Sequence, residues 1–120
     1  MSPSDWTARV QDMLQAIAEV RQFTAGMSFA AFSADTRTCR AVAFEIAVIG
    51  EASRHIPTEV RARHPELPWA RMRGMRNILI HEYFGINLQI LWDTAQQDLP
   101  ALEIALRQLL AEEAASGSGQ

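Results

Sequence analysis

The chain has 120 residues, 48% of them hydrophobic and 21% charged, which suits one globular domain with one core. Its formal net charge of −3 excludes a polycation that coats nucleic acid by bulk charge. A lone cysteine, Cys39, excludes an internal disulfide framework and a cysteine-based zinc site. No apolar run reaches the roughly 18 to 20 residues of a membrane span. The opening Met1-Ser2-Pro3-Ser4-Asp5-Trp6 lacks the basic and apolar regions of a signal peptide. A soluble, cytoplasmic protein is expected.

Helix formers dominate, and alternating β-branched runs are absent. A first helix is predicted from a cap at Ser4 or Asp5, with Trp6, Val10, Met13, Leu14, Ile17 and Val20 at helical spacing and Gly26 as its stop. A loop through Ser28 and Ser33 then leads to a cap at Ser33 or Asp35. The second helix is predicted over residues 36–55. Its centre, from Ala41 to Ile49, is apolar on nearly all sides, which predicts burial on more than one face and, in so small a chain, a second copy against it. Pro57, Pro65 and Pro68 punctuate a stretch with one short helix near residues 59–63. A third main helix is expected from Trp69 to about Phe84, broken by Gly85-Ile86-Asn87, with a short helix over residues 88–95 after it. Asp98 is expected to cap a last helix with Pro100 in its first turn and Leu102, Ala105, Leu106, Leu109 and Leu110 on its apolar face. The expected fold is therefore all-α: an antiparallel four-helix bundle with one or two short extra helices, in one domain over residues 1–113. The small polar residues from 114 to 120 are read as a flexible tail.

Every basic residue is arginine, the side chain suited to planar contact with phosphates and carboxylates. Six of them (54, 61, 63, 71, 73 and 76) lie between Arg54 and His81 against two acids, Glu59 and Glu66, a local balance of +4 in an acidic chain. Such a middle can hold an anion that the remainder repels. His55, His64 and His81 are too scattered for a local metal motif, so no metal and no cofactor are expected.

The informative segment runs from Arg73 to Gly85. On an α-helix Arg73, Asn77 and His81 share one column, and Arg76, Ile80 and Tyr83 form the next. Two guanidiniums, an amide, an imidazole and a phenol then line one band. Those types suit a phosphodiester: arginine steadies the phosphate, and an imidazole near neutrality moves protons at a ribose hydroxyl or a leaving oxygen. The same spacing also occurs in ordinary solvated helix faces. For other groups a structural role is expected: Glu51 paired with Arg54 or His55, Glu45 with an arginine of the same or another subunit, Cys39 buried, the three tryptophans as core or interface anchors, and His55 and His64 in solvent.

The stretch Arg76-Asn77-Ile78-Leu79-Ile80-His81-Glu82-Tyr83 has the form R-x4-H-x-Y and resembles the motif of HEPN-domain proteins, specifically the HepT-like toxins. Asp12-Met13-Leu14, Ile49-Gly50-Glu51-Ala52, Pro68-Trp69, Arg73-Gly74-Met75, Phe84-Gly85 and the stretch from Leu91-Trp92 to Leu99-Pro100 extend the likeness over nearly the whole chain. The resemblance implies a HEPN-like bundle that forms a helix-mediated homodimer with its motifs on a shared cleft. It implies a metal-independent endoribonuclease, the toxin of a type VII-like toxin–antitoxin pair. Its partner would be a minimal nucleotidyltransferase antitoxin that moves AMP onto the motif tyrosine. Carried over, Arg76 and His81 are catalytic and Tyr83 is the AMP acceptor. Arg73 and Asn77 are supporting, RNA-binding candidates from the helical columns. The competing expectations are a non-catalytic HEPN nucleotide-binding or scaffold partner of a nucleotidyltransferase, or a chain that serves only as that enzyme's substrate.

Overall fold

The computed structural model describes residues 3–78, 85 and 87–118, which are helical almost throughout, with no strand among them. Helix α1 (Pro3–Thr24) ends where Gly26 takes a φ of 75°, the left-handed stop the sequence predicts. The expected loop through Ser28 and Ser33 is instead a short helix, α2 (Phe29–Ala34), because the Ser28 hydroxyl caps it by accepting from the Ala31 amide at 3.1 Å. Asp35 then caps α3 (Thr36–Ser53), accepting from the Thr38 amide at 3.1 Å and the Thr38 hydroxyl at 2.8 Å. Those bonds hold the Asp35 carboxyl below its ordinary range.

Helix α3 is the axis of the bundle. After α4 (Thr58–Arg63) come α5 (Trp69–Gly74), the 3-10 turn Met75–Asn77 and α6 (Leu88–Asp93); α3 packs along α1 and also meets α2, α5, that turn and α6. Val42, Ala43, Ile46 and Ile49 are fully buried among Val10, Met13, Ile17, Phe32 and Met72. The chain's own helices thus cover most of the apolar surface for which the sequence suggested a second copy. Phe44, 55% exposed, is the large apolar side chain that α3 leaves to solvent. Trp92 packs on Phe32 with ring centroids 5.0 Å apart and planes tilted by 44°, and the Cys39 thiol donates to the Phe32 carbonyl at 3.1 Å.

Helix α4 (Thr58–Arg63) occupies the expected short-helix stretch. The helix from Trp69 does not run on as one α-helix: it tightens into 3-10 winding at Met75. Gly85, at φ 92°, lies in the predicted break, and Asn87 caps α6 through the Ile90 amide at 3.1 Å. The expected interruption at Asp98 is absent. A π-helical stretch, Thr94–Asp98, joins α6 directly to α7 (Leu99–Ser118). Its wider winding, at the point where the ring of Pro100 removes a backbone donor, lets the helix continue without a break. Asp98 does not serve as the predicted cap; its carboxylate takes Arg71 at 2.7 Å. Helix α7 continues beyond residue 113, through part of the predicted tail.

Carboxylates along α7 and its approach reach other elements. Besides Asp98 and Arg71, Glu103 meets Arg21 of α1 at 2.6 Å, and Glu113 takes a two-pronged contact from Arg63 at 2.7 and 3.0 Å. The Arg63 hydrogen bonds bring the Glu113 carboxyl down to about 2, with His64 adding to the same direction against the effect of burial.

Candidate functional site

The site begins with a close approach between backbones. Gly50 of α3 lies against the 3-10 turn so tightly that a Cβ built on it would stand 2.2 Å from the Arg76 backbone nitrogen and 2.9 Å from the Arg76 Cα. No side chain fits there, so this glycine sets the depth at which the turn docks and the point from which Arg76 projects.

The next residue, Glu51, receives that projection. Arg76 Nε stands 2.9 Å from Glu51 Oε1, Arg54 Nη1 is 3.3 Å from the same oxygen, and His55 Nε2 is 3.4 Å from Oε2. Burial works to raise the Glu51 carboxyl, but the charges of Arg54 and Arg76 and hydrogen bonds from His55 and Arg54 outweigh it and hold it below its ordinary range. The sequence predicts the pairs with Arg54 and His55. It misses the third, because Glu51 and Arg76 are 25 positions apart (76 − 51) and no local spacing joins them. Since Glu51 engages Nε, the two terminal nitrogens of Arg76 are not committed by this pair, and half of the side chain, 55%, is exposed.

Asn77 and Arg73 are both exposed, on the turn and near the end of α5. The single α-helical column predicted for them does not hold as drawn, because 3-10 winding advances each residue by about 120° rather than 100°. His81 and Tyr83 lie outside the described residues. Beside the turn, a groove of about 450 Å³ is lined by Ile46, Met75, Ile78 and Ile90, with Arg71 and Asp98 at its polar part. On the α1 side, a groove of about 360 Å³ carries four carboxylates, Asp12, Glu19, Glu45 and Glu51, against Arg9 and His55, an acidic balance that disfavours a phosphate chain.

The arginine-rich middle is less bare than its local charge suggests. Arg54 and Arg76 share Glu51, while Arg63 and Arg71 are matched by Glu113 and Asp98 from distant sequence. Arg61, which donates to the Thr58 hydroxyl, and Arg73 have no ion-pair partner among the described residues; Arg73 is three positions before Arg76, so it and the terminal nitrogens of Arg76 are the cationic groups best placed to meet an anion together. One further expectation changes: His64 is 4% exposed rather than solvated. Glu45 is 7% exposed, and its Oε2 has no hydrogen-bond partner among the described residues. No helix among the described residues is long and apolar enough to cross a membrane.

Residues 13–109 match the family model described as ribonuclease HepT-like. The chain is 40% identical over 94 residues to a protein of Thermococcus cleftensis named "Probable ribonuclease HepT", covering 78% of this chain and 86% of that one. It is 38% identical over 103 residues to a Methanocaldococcus jannaschii protein named "Putative RNase MJ1380", covering 86% of this chain and 94% of that one. It is 41% identical over 88 residues to the Caldanaerobacter subterraneus protein named "Putative RNase TTE0752", covering 73% and 79% of the two chains. No solved structure matches.

Proposed function

The chain belongs to the HepT-like ribonuclease family, and from that premise we propose that it is the endoribonuclease toxin of a toxin–antitoxin pair, cleaving RNA without a metal through Arg76 and His81. The observation that carries the reading is the placement of Arg76: its backbone is wedged on Gly50, its Nε is anchored by Glu51, and that pair leaves its terminal nitrogens uncommitted. A guanidinium so anchored binds the scissile phosphate and stabilises the charge that grows on its oxygens.

In this reading two copies of the chain associate, so that two His81 imidazoles flank one phosphodiester. One takes the proton of the ribose 2′-hydroxyl as its oxygen attacks phosphorus. The other gives a proton to the departing 5′-oxygen, leaving a 2′,3′-cyclic phosphate. Arg73 and Asn77 hold neighbouring parts of the RNA. A minimal nucleotidyltransferase antitoxin switches the enzyme off by transferring AMP from ATP to the Tyr83 hydroxyl. The added bulk and negative charge then stand where the RNA backbone must lie.

A cleavage assay in EDTA with a labelled RNA tests the reaction. We expect cyclic-phosphate ends from the parent protein and none from His81→Ala. A purified dimer that binds nucleotide or a nucleotidyltransferase and never cuts RNA would establish the scaffold alternative instead. The regulatory step is read separately by intact mass: with a minimal nucleotidyltransferase and ATP, AMP increments should appear on the parent and be lost in Tyr83→Phe. Increments that persist in Tyr83→Phe would move the acceptor elsewhere.

A further inference from the structure

We propose that His64, Glu66 and Glu112 form a binding site for one divalent transition-metal ion, with Zn²⁺ the best fit, which clamps the loop after α4 to the far end of α7. The site shares no residue with the Arg76–His81 machinery and does not rest on the ribonuclease reading.

The argument starts from the His64 ring, whose side chain is 5% exposed. Its Nε2 lies 2.7 Å from Glu113 Oε2, and the same carboxylate is gripped by Arg63. A carboxylate only accepts, so Nε2 carries the hydrogen. In the neutral ring, the lone pair then belongs to Nδ1. That nitrogen is buried and has no hydrogen-bond partner among the described residues, yet two carboxylate oxygens lie beside it: Glu66 Oε1 and Glu112 Oε2, each 3.4 Å away. Three electron-rich atoms therefore face one another, all within 4.8 Å. They repel unless a cation lies between them.

The two separations from Nδ1, 3.4 Å each, are those of a coordination shell, and the two carboxylate oxygens lie within 4.8 Å of each other. Ligands about 2.0–2.1 Å from a tetrahedral zinc stand about 3.3–3.4 Å from each other. One imidazole and two carboxylates suit Zn²⁺ better than Mg²⁺ or Ca²⁺, which prefer all-oxygen shells. The remaining parts are also present. Glu113 orients the ring from behind, as second carboxylates do for metal-bound histidines. The His64 carbonyl accepts from Trp69 Nε1 at 2.8 Å, fixing the backbone that presents the ring. The rival arrangement is a doubly protonated ring held as a cation among three carboxylates.

Purified metal-free full-length chain titrated calorimetrically with Zn²⁺ should bind one ion per chain, raise its melting temperature, and keep that ion against a large excess of Mg²⁺. Glu66→Gln and Glu112→Gln should each lose the binding and the thermal shift. Both side chains are at least half exposed, 62% and 50%, so these variants keep the fold, which circular dichroism checks. Glu113→Gln should weaken binding about 10- to 100-fold. His55→Gln should leave it unchanged. Failure of the parent to bind Zn²⁺, with ¹⁵N spectra showing both His64 ring nitrogens protonated at neutral pH, would overturn the site in favour of the cationic ring. Equal binding by the parent and both glutamine variants would overturn it as well.

Discussion

Arg76→Ala is expected to lower kcat/KM for RNA cleavage about 10²- to 10³-fold, the usual loss when one preorganised donor to a developing oxyanion is removed. The fold should be almost untouched, with stability changed by no more than about 0.5 kcal/mol, because the side chain is half exposed and buries no core surface. Arg76→Lys should recover little. An ammonium cannot hold the Glu51 carboxylate through an Nε while turning two further nitrogens to a phosphate. Activity equal to the parent in Arg76→Ala would remove this residue from the chemistry. The pH profile carries the same logic. The Glu51 carboxyl sits below its ordinary range, so its ionised form, and with it the Arg76 anchor, persists above that range and is lost only when acid reaches the depressed value. The acid limb of cleavage near neutrality should therefore follow an imidazole and remain in Glu51→Gln.

Gly50→Ala should damage stability and activity together. The added methyl meets backbone atoms of Met75 and Arg76, which cannot rotate aside as a flexible side chain would. Overpacking of this kind costs about 1–3 kcal/mol. Relief requires the 3-10 turn to lift off α3, and a displacement near 1 Å at a catalytic group costs about 10²-fold in rate. Gly74→Ala supplies the contrast one turn away. A Cβ there meets nothing within 4 Å and the backbone is ordinary right-handed helix, so the substitution should stabilise by about 0.5–1 kcal/mol. Urea unfolding and initial cleavage rates on both variants check the pair. If Gly50→Ala unfolds and cleaves like the parent, the close approach does not position Arg76.

These two residues show which parts of the molecule can be read from the chain. The stop at Gly26 and the cap at Asp35 act within three or four residues, so their chemistry is visible in the letters themselves. The all-α class follows from composition and periodicity in the same way. The motif containing Arg76 is equally local. Glu51 as its anchor, and the approach of Gly50 beneath it, depend on how far apart α3 and the 3-10 turn come to rest, and no periodicity carries that distance. The sequence reads His64 as solvated for a related reason: it meets Glu113 near the end of α7, 49 positions away (113 − 64). Asp98 looked like a cap because a proline follows closely, but the π-helical stretch absorbs the proline and leaves the carboxylate for Arg71.

The guanidinium–carboxylate contacts along the final helix have a topological meaning beyond their small energies. Leu99, Leu102, Leu106 and Leu109 form a ladder of nearly equivalent rungs. A one-turn slide of that helix would exchange leucine for leucine at modest loss. Asp98, Glu103 and Glu113 are not interchangeable in this way, since each is keyed to an arginine on a different element: Arg71, Arg21 and Arg63. A slip would orphan all three at once. Greasy rungs hold the helix down, while the charged teeth choose which rung it stops on, much as a single polar residue fixes the alignment of a coiled coil.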